Sequence, residues 1–208
     1  MSRLSSLSPA AIKAMFSTDS DDTLSALITL SGSNIEPNSP IRLCENYTHR
    51  FEYLTSTQIT AKNIATGDTT VVTYGTTDNL IKDAINSDPD EVFYGILGPD
   101  NYLFLFLPFT LSLPSEEEAN VPKCEITLND VGRQLIPSIR SLTSSPNVLL
   151  QLVLTSNTQY VEIEIGDFLM DNVTYNASSI TGTLVVESLA IEPFPAHQFV
   201  PSSFPGLF

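Results

Sequence analysis

The feature that most constrains this fold is the segment from Val148 to Ile165, in which two apolar runs flank a polar turn at residues 156–158. The second run alternates three apolar residues with two acids, in the order Val161, Glu162, Ile163, Glu164, Ile165. Successive side chains of a strand point to opposite faces, so this pattern predicts a β-hairpin with one buried face. It also predicts that Glu162 and Glu164 face solvent.

Further segments of the chain are rich in the β-branched and aromatic residues that strands favour. They are Leu24–Leu30, Ile41–Cys44, Phe51–Thr60, Thr69–Tyr74, Tyr102–Leu107, Phe109–Leu113, Lys123–Leu128, Phe168–Val173 and Ile180–Val186. The run from Tyr102 is apolar at every position, so both faces of a strand there would be apolar. This indicates a strand that is buried on both sides or covered by a neighbouring subunit. Prolines flank the segment from Phe109, which places it at a sheet edge or in an irregular extension.

Helix signals are few. Ser8 can cap a helix that starts at Pro9 and runs to Phe16, with Ile12, Met15 and Phe16 on one face. Short amphipathic patterns predict helices at residues 79–85 and 130–142, the second kinked or divided at Pro137. The fold class predicted is therefore mainly β, a β-sandwich or split barrel with two or three short helices.

The domain organisation expected is one β-rich domain over residues 1–190 followed by an extended arm at 191–208. Within the domain, a glycine-punctuated stretch at about 62–98 is interpreted as an insert that elaborates the main fold.

The Pro/Phe arm, residues 191–208, follows different rules from the rest of the chain. Its four prolines forbid a regular helix or a central strand, so the arm must run extended. Its phenylalanines would expose a large apolar surface unless the arm wraps its own domain or docks on a partner, and both remain open. The candidate contact residues are Phe194, Phe199, Phe204, Pro205, Leu207 and Phe208.

The charge of the 208-residue chain is strongly acidic, with 9 Lys and Arg against 24 Asp and Glu and a formal net charge of −15. No basic residue follows Arg140, so one face is expected to be acidic; its candidate residues are Glu162, Glu164, Asp167 and Asp171. This balance argues against specific nucleic-acid binding, because lysines and arginines supply most of the affinity for phosphates. Solubility and a functional role for the acidic face are both compatible with it.

Motifs for catalysis, cofactors or metals are lacking. His49 and His197 lie far apart in dissimilar contexts, and no metal-ligand spacing joins them to Cys44 and Cys124. No secretory signal or membrane anchor is recognised, so we expect assembly in the cytoplasm, where the two cysteines favour buried thiols over a disulfide. We predict that the protein is not an enzyme.

Four segments carry a resemblance to a known family. They are Leu7–Phe16, Phe106–Pro114, Asn129–Arg133 and the closing residues 192–208, which contain Glu-Pro-Phe-Pro and end in Phe-Pro-Gly-Leu-Phe. These segments resemble a family of uncharacterised tail proteins of long-tailed phages and prophages, whose shorter members lack residues 62–98.

The resemblance implies a structural protein of the virion tail tip, akin to distal tail or upper baseplate-hub proteins. Such proteins share the fold of the tail-tube subunit, form a ring, join the tail tube to the hub and line the channel for DNA ejection. The resemblance thus implies a homo-oligomer of six copies, with three as the alternative. Its expected neighbours are the tail-tube, baseplate hub and tape-measure proteins.

A second hypothesis is a carbohydrate- or receptor-binding β-sandwich displayed on the virion. It would be strengthened by an exposed aromatic cluster in the insert, for which Tyr74, Phe93 and Tyr94 are candidates, although local packing is the favoured explanation of those aromatics. A cell-wall hydrolase would need a carboxylate pair in a cleft, and no such pair is indicated.

Overall fold

The computed structural model describes residues 7–16, 22–32, 40–55, 57–73, 92–112, 123–129, 144–176 and 178–186. In these ranges the chain forms one α-helix, a short 3-10 turn at Pro99–Asn101 and twelve strands of a single sheet. The mainly β fold class predicted from the sequence is confirmed. The helices expected at 79–85 and 130–142 and the Pro/Phe arm lie outside the described residues.

Among the described residues, one α-helix precedes all twelve strands. The helix is α1 (Pro9–Phe16). The strands are β1 (Leu24–Ser31), β2 (Ile41–Cys44), β3 (His49–Thr55), β4 (Gln58–Asn63), β5 (Thr69–Thr73), β6 (Phe93–Leu97), β7 (Leu103–Phe106), β8 (Phe109–Ser112), β9 (Lys123–Leu128), β10 (Asn147–Leu154), β11 (Asn157–Tyr175) and β12 (Ile180–Val186).

The strand order is β5-β4-β3-β6-β7-β2-β1-β10-β11-β12-β9-β8, and among these strands every neighbouring pair except β2 and β7 is antiparallel. Strands β7 and β8 are separated only by Leu107 and Pro108. The Leu107 amide donates to the Cys44 carbonyl at 3.1 Å, and the Pro108 carbonyl accepts from Asn129 at 2.9 Å. This stretch thus bonds to Cys44 at the end of β2 and to Asn129 just after β9, and β2 and β8 contribute residues to the same core.

The main core is formed by the seven strands that follow one another in the sheet from β2 to β8. Its buried residues come from β1, β2, β8, β9, β10, β11 and β12 and include Ile28, Leu43, Phe109, Ile126 and Leu150. Strand β1 is buried on both faces, because Leu27, at the opposite parity, joins a smaller cluster with Cys44, Ile96, Phe104 and Val153. Burial on both faces explains why β1 reads as a nearly continuous apolar run.

Five neighbouring strands of the sheet, in the order β5-β4-β3-β6-β7, form a wing with its own core. The buried residues of this core are Phe51, Ile59, Ala61, Val72, Leu97 and Leu103. The predicted single strand from Phe51 to Thr60 is wrong, because the chain reverses between Thr55 and Gln58 to form the β3–β4 hairpin. Thr57 lies in the turn that the prediction overlooked. Within the expected insert, β6 lies between β3 and β7 and is an integral strand of the sheet.

The hairpin predicted from the alternating segment is present, as β10 paired with β11. Two irregularities distinguish it from the prediction. First, β11 runs without a break through residues that the sequence divided into two strands. Second, extra residues enter β11 between the pairs Leu150–Ile165 and Val148–Phe168, and between Leu152–Ile163 and Val153–Val161. Such β-bulges change which face the following side chains occupy.

Helix α1 begins as predicted. The Ser8 side-chain oxygen accepts from the Ala11 amide at 3.1 Å, which is the bond of an N-cap serine to the third helical residue. The helix packs through Ala11, together with the preceding Leu7, against Leu154, while Ile12, Met15 and Phe16 are exposed. Within the ranges listed above, no helix has the length and apolar character to cross a membrane.

Candidate functional site

The surface with the clearest binding character is an exposed aromatic patch made of Tyr47, Tyr94 and Phe106. The ring centre of Tyr47 lies 5.3 Å from that of Tyr94 and 5.0 Å from that of Phe106, both in edge-on geometry. These side chains are 50%, 43% and 36% exposed respectively. Aromatic rings held together and left open to solvent mark an interaction surface.

Strand register places two of these rings side by side. Gly95 pairs with Leu105 and Ile96 with Phe104, so the same register sets Tyr94 opposite Phe106. Ile96 and Phe104 point to the same face as the patch and are fully or almost fully buried, so the packed cluster that they form with Cys44 borders the patch along β6 and β7. This border limits the freedom of the patch rings, which reduces the entropy lost when a partner binds.

The approach of β6 to β7 beneath the patch depends on a glycine. A Cβ atom at Gly95 would overlap the carbonyl oxygen of Phe104 and lie 2.8 Å from Cε2 of the Phe51 ring. Only glycine lets the two backbones come this close.

Basic side chains flank the patch on the same face. Arg50 pairs with Tyr94 across β3 and β6, and Lys62 pairs with Arg50 across β4 and β3. The Arg50 side-chain Nε lies 2.8 Å from the Glu52 carboxylate. On the other flank, the Arg42 guanidinium lies 4.0 Å from the centre of the Tyr102 ring, within cation–π range. In a chain of net charge −15 this face offers both apolar surface and local positive charge.

The chemistry of this face is that of binding. Its carboxylate, Glu52, is partly exposed and paired with Arg50, so nothing desolvates it as a general acid or base would require. Within the described part of the chain, no group of three or more His, Cys, Asp and Glu side chains could hold a metal ion.

The predicted acidic face is only partly assembled. Glu164 is exposed and accepts a hydrogen bond from Gln151 Nε2 at 2.8 Å, and Asp171 is exposed opposite Thr183. The side chain of Asp167 lies outside the described residues.

The expectation that Glu162 faces solvent is wrong, because its side chain is only 6% exposed. Its carboxylate accepts hydrogen bonds from the Ser8 amide at 2.9 Å and from the Ser8 hydroxyl at 2.6 Å. The physical cause is the bulge between Val161 and Ile163, which removes Glu162 from the simple alternation and directs it to the start of α1. Glu162 therefore anchors the helix and does not contribute to an acidic surface.

Of the other predicted site residues, one belongs to the patch, one packs in the wing, and the remainder lie outside the described residues. Tyr94 is part of the patch, Phe93 packs against the core of the wing, and Tyr74 lies outside the described residues. The arm residues Phe194, Phe199, Phe204, Pro205, Leu207 and Phe208 also lie outside them.

Sequence reasoning missed Tyr47 and Phe106 as site residues. The signal available for Phe106 was the parity of β7, where Tyr102, Phe104 and Phe106 share one face. No local pattern marks Tyr47, which precedes β3 in a loop and meets the patch only through the fold.

Both cysteines are buried and free, as the sequence indicated. The Cys44 thiol donates to the Phe104 carbonyl at 3.3 Å, and burial raises the pKa of Cys44 and of Cys124. These thiols are therefore protonated and serve as small apolar groups in the core.

His49 is a buried polar residue at the start of β3. Its Nδ1 accepts from the Leu97 amide at 3.4 Å and lies 2.8 Å from the Thr48 hydroxyl. Because Nδ1 accepts the amide bond, the ring is neutral, and burial lowers its pKa below the ordinary value.

We expect His49 to make stability depend on pH. The unfolded state takes up a proton near the ordinary pKa of 6.5, whereas the folded state resists it. The contribution is therefore complete above this pH and is lost as the pH falls toward the lower folded-state pKa. Urea unfolding at about pH 7.5 and 5.5 should show a larger loss in the wild type than in His49→Asn, whose amide oxygen can replace Nδ1 without titrating. Identical pH profiles would contradict this assignment.

No protein-family model matches this chain, and no curated protein matches it significantly.

Proposed function

We propose that this chain is a structural, non-enzymatic subunit of a phage tail tip, assembled in the host cytoplasm and carried in the virion. In this role it forms a ring of six copies, with three as the alternative, between the tail tube and the baseplate hub. Its neighbours are the tail-tube, hub and tape-measure proteins. The motif resemblance suggests this role, and the features below support it.

The observation that carries the proposal is the exposed aromatic patch. Its three rings are exposed to solvent, although the neighbouring side chains of the same two strands, Ile96 and Phe104, belong to a buried cluster. A lone soluble domain gains nothing from clustering rings at its surface, whereas an assembling subunit needs such a surface to bind its neighbour.

The charge distribution supports a place beside passing DNA. Glu164 and Asp171 point outward from β11, and no Lys or Arg follows Arg140. A channel wall must let phosphates pass without holding them, and acidic side chains achieve this by like-charge repulsion.

The sheet architecture is also compatible with a tube-like subunit. Residues 107 and 108 bond to Cys44 of β2 and to Asn129 after β9, which supports a curled arrangement of the strands between β2 and β8 in the sheet order. The wing of β3 to β7 continues the sheet beyond β2. We propose this split-barrel description as the finer version of the mainly β fold.

The proposal predicts that deleting Phe199–Phe208 abolishes ring formation and incorporation into virions while most β-structure is retained. The deleted segment holds three of the arm's four phenylalanines, and none of the described strands includes it. Light scattering would give the mass of the assembly, circular dichroism the strand content, and mass spectrometry of purified tails the incorporation. A matched control that replaces Phe199, Phe204 and Phe208 by leucine preserves arm length and apolar character. Wild-type protein that is absent from purified tails would overturn the function.

A second candidate function, a virion-displayed carbohydrate- or receptor-binding module, is favoured by one observation. Tyr94, which the sequence predicts as a candidate binding aromatic, is exposed and clustered with two further rings. The edge-on packing, with ring planes 60° and 71° apart, offers no flat platform for a sugar face. Calorimetric binding of a bacterial surface polysaccharide, lost in Tyr94→Ser, would favour this candidate.

A further inference from the structure

We propose that the aromatic patch is the docking site for the Pro/Phe arm of a second copy of this chain. This inference rests on the proposed function in one respect, since a ring places copies side by side. It specifies which surface accepts the arm and which segment occupies it.

The first argument is chemical complementarity. Proline-rich extended segments bind to surfaces lined by aromatic rings, because the polyproline conformation is already formed and loses little entropy on docking. The arm carries prolines at 193, 195, 201 and 205, interleaved with phenylalanines at 194, 199, 204 and 208. The patch presents Tyr47, Tyr94 and Phe106 on one face, and Tyr102 lies just before β7. Rings on both partners can pack edge to face.

The second argument is charge. Arg50 and Lys62 continue the line of the patch across β3 and β4, and they outnumber the one carboxylate that pairs with Arg50, Glu52. The arm contains Glu192 and has neither Lys nor Arg. Opposite charges at the edge of an apolar contact fix its orientation and suppress wrong partners.

The third argument concerns which copy supplies the arm. The three patch rings are 36% to 50% exposed, so they offer apolar surface to a partner. The 22 residues that follow Val186 can span at most about 70 Å in a polyproline conformation, which reaches beyond a domain of this size and so to a neighbouring copy. Arm-to-patch contacts between copies are head to tail, and such contacts form a ring when the rotation between neighbours closes.

The test uses full-length chains that each lack one half of the contact. The patch variant carries Tyr47→Ser with Tyr94→Ser, and the arm variant carries Phe199→Ser with Phe204→Ser. Each alone should lose the wild-type assembly, with association weakened about tenfold or more, because aromatic anchors dominate interfaces. Mixed in equal amounts, the two variants should form a one-to-one complex, since one intact arm can meet one intact patch. Tyr160→Ser, an equally exposed tyrosine on β11, should assemble like the wild type.

Several results would overturn the inference. They are a patch variant that assembles like the wild type, a mixture in which no complex forms, and a monomeric wild type whose patch binds polysaccharide instead. If patch variants still assemble and enter virions, the inference fails while the tail-tip function stands. If the mixed variants form their complex but the wild type is absent from virions, the function fails while the inference stands.

Discussion

Replacing Gly95 by alanine is expected to remove most of the stability of this protein. The added methyl group would overlap the backbone carbonyl of Phe104 and press on the ring of Phe51, which is buried in the core of the wing. Neither neighbour can yield cheaply, because the carbonyl belongs to the paired strand β7 and also accepts the Cys44 thiol. Overpacking typically costs about 1–3 kcal/mol, and a clash with backbone exceeds that, so we expect about 3–5 kcal/mol.

The measurement is the free energy of unfolding in urea, followed by circular dichroism. Because small domains are stable by only about 5–15 kcal/mol, a loss of this size would leave much of the protein unfolded or insoluble. Gly166→Ala is the matched control, since a Cβ there would meet only Leu149 Cδ1 at an ordinary 3.5 Å. We expect that control to stay within about 1 kcal/mol of the wild type. If the two alanine variants were equally stable, the close approach of β6 to β7 would be refuted.

The same glycine couples the stability of the β6–β7 pairing to the arrangement of the rings in the aromatic patch. Gly95 lies between Tyr94 of the patch and Ile96 of the buried cluster that borders it. Separating β6 from β7 would therefore move Tyr94 away from Phe106 as well as opening the core. A stability defect at Gly95 should consequently be accompanied by loss of assembly, whereas Tyr94→Ser should affect assembly alone.

Much of the fold could be predicted because strand signals are local. Alternation over Val148–Ile165 and β-branched runs such as Leu24–Leu30 locate strands without reference to the rest of the chain. Helix α1 was equally predictable, since its cap and first proline are adjacent in sequence.

What could not be predicted depends on contacts between distant segments. The parallel pairing of β2 with β7 brings together residues about sixty positions apart, whereas the pairing of β8 with β9 joins residues fewer than twenty positions apart. No local sequence pattern shows which of these strands will pair. The aromatic patch illustrates the consequence. Tyr94 was identified from its surroundings in sequence, but its contact with Tyr47 depends on how β2, β6 and β7 are arranged.

The bulge at Glu162 is a further case in which a local pattern misleads. A strict period of two assigns Glu162 and Glu164 to the same face, but one extra residue in β11 separates them. Glu164 stays at the surface while Glu162 meets the start of α1. The partner that makes its burial favourable, Ser8, lies 154 residues away.

Replacing Glu162 by alanine is therefore expected to detach α1 from the sheet. The carboxylate accepts from the Ser8 amide and hydroxyl, and hydrogen bonds to a charged group contribute about 1.5–3 kcal/mol. Its position at the helix N-terminus adds a favourable interaction with the helix dipole. We expect a loss of about 2–3 kcal/mol in the free energy of unfolding.

Detachment has a local signature that a global loss of stability lacks. Lys13 lies on the exposed face of α1, so trypsin should cleave after it faster once the helix is released. Glu164→Ala is the matched control, two positions away on the same strand. Its side chain is exposed and bonds only Gln151 among the contacts described, so stability should change by less than about 0.5 kcal/mol and cleavage should not accelerate.

A double-mutant cycle with Ser8→Ala isolates the contact itself. Because both bonds to Glu162 come from Ser8, the hydroxyl bond disappears in either single variant, and the two losses should add to more than the loss in the double variant. Additive losses together with equal trypsin cleavage in the two glutamate variants would mean that Glu162 does not anchor the helix. In that case the burial of Glu162 would follow from the bulge in β11 alone, and its bonds to Ser8 would contribute nothing to holding α1 on the sheet.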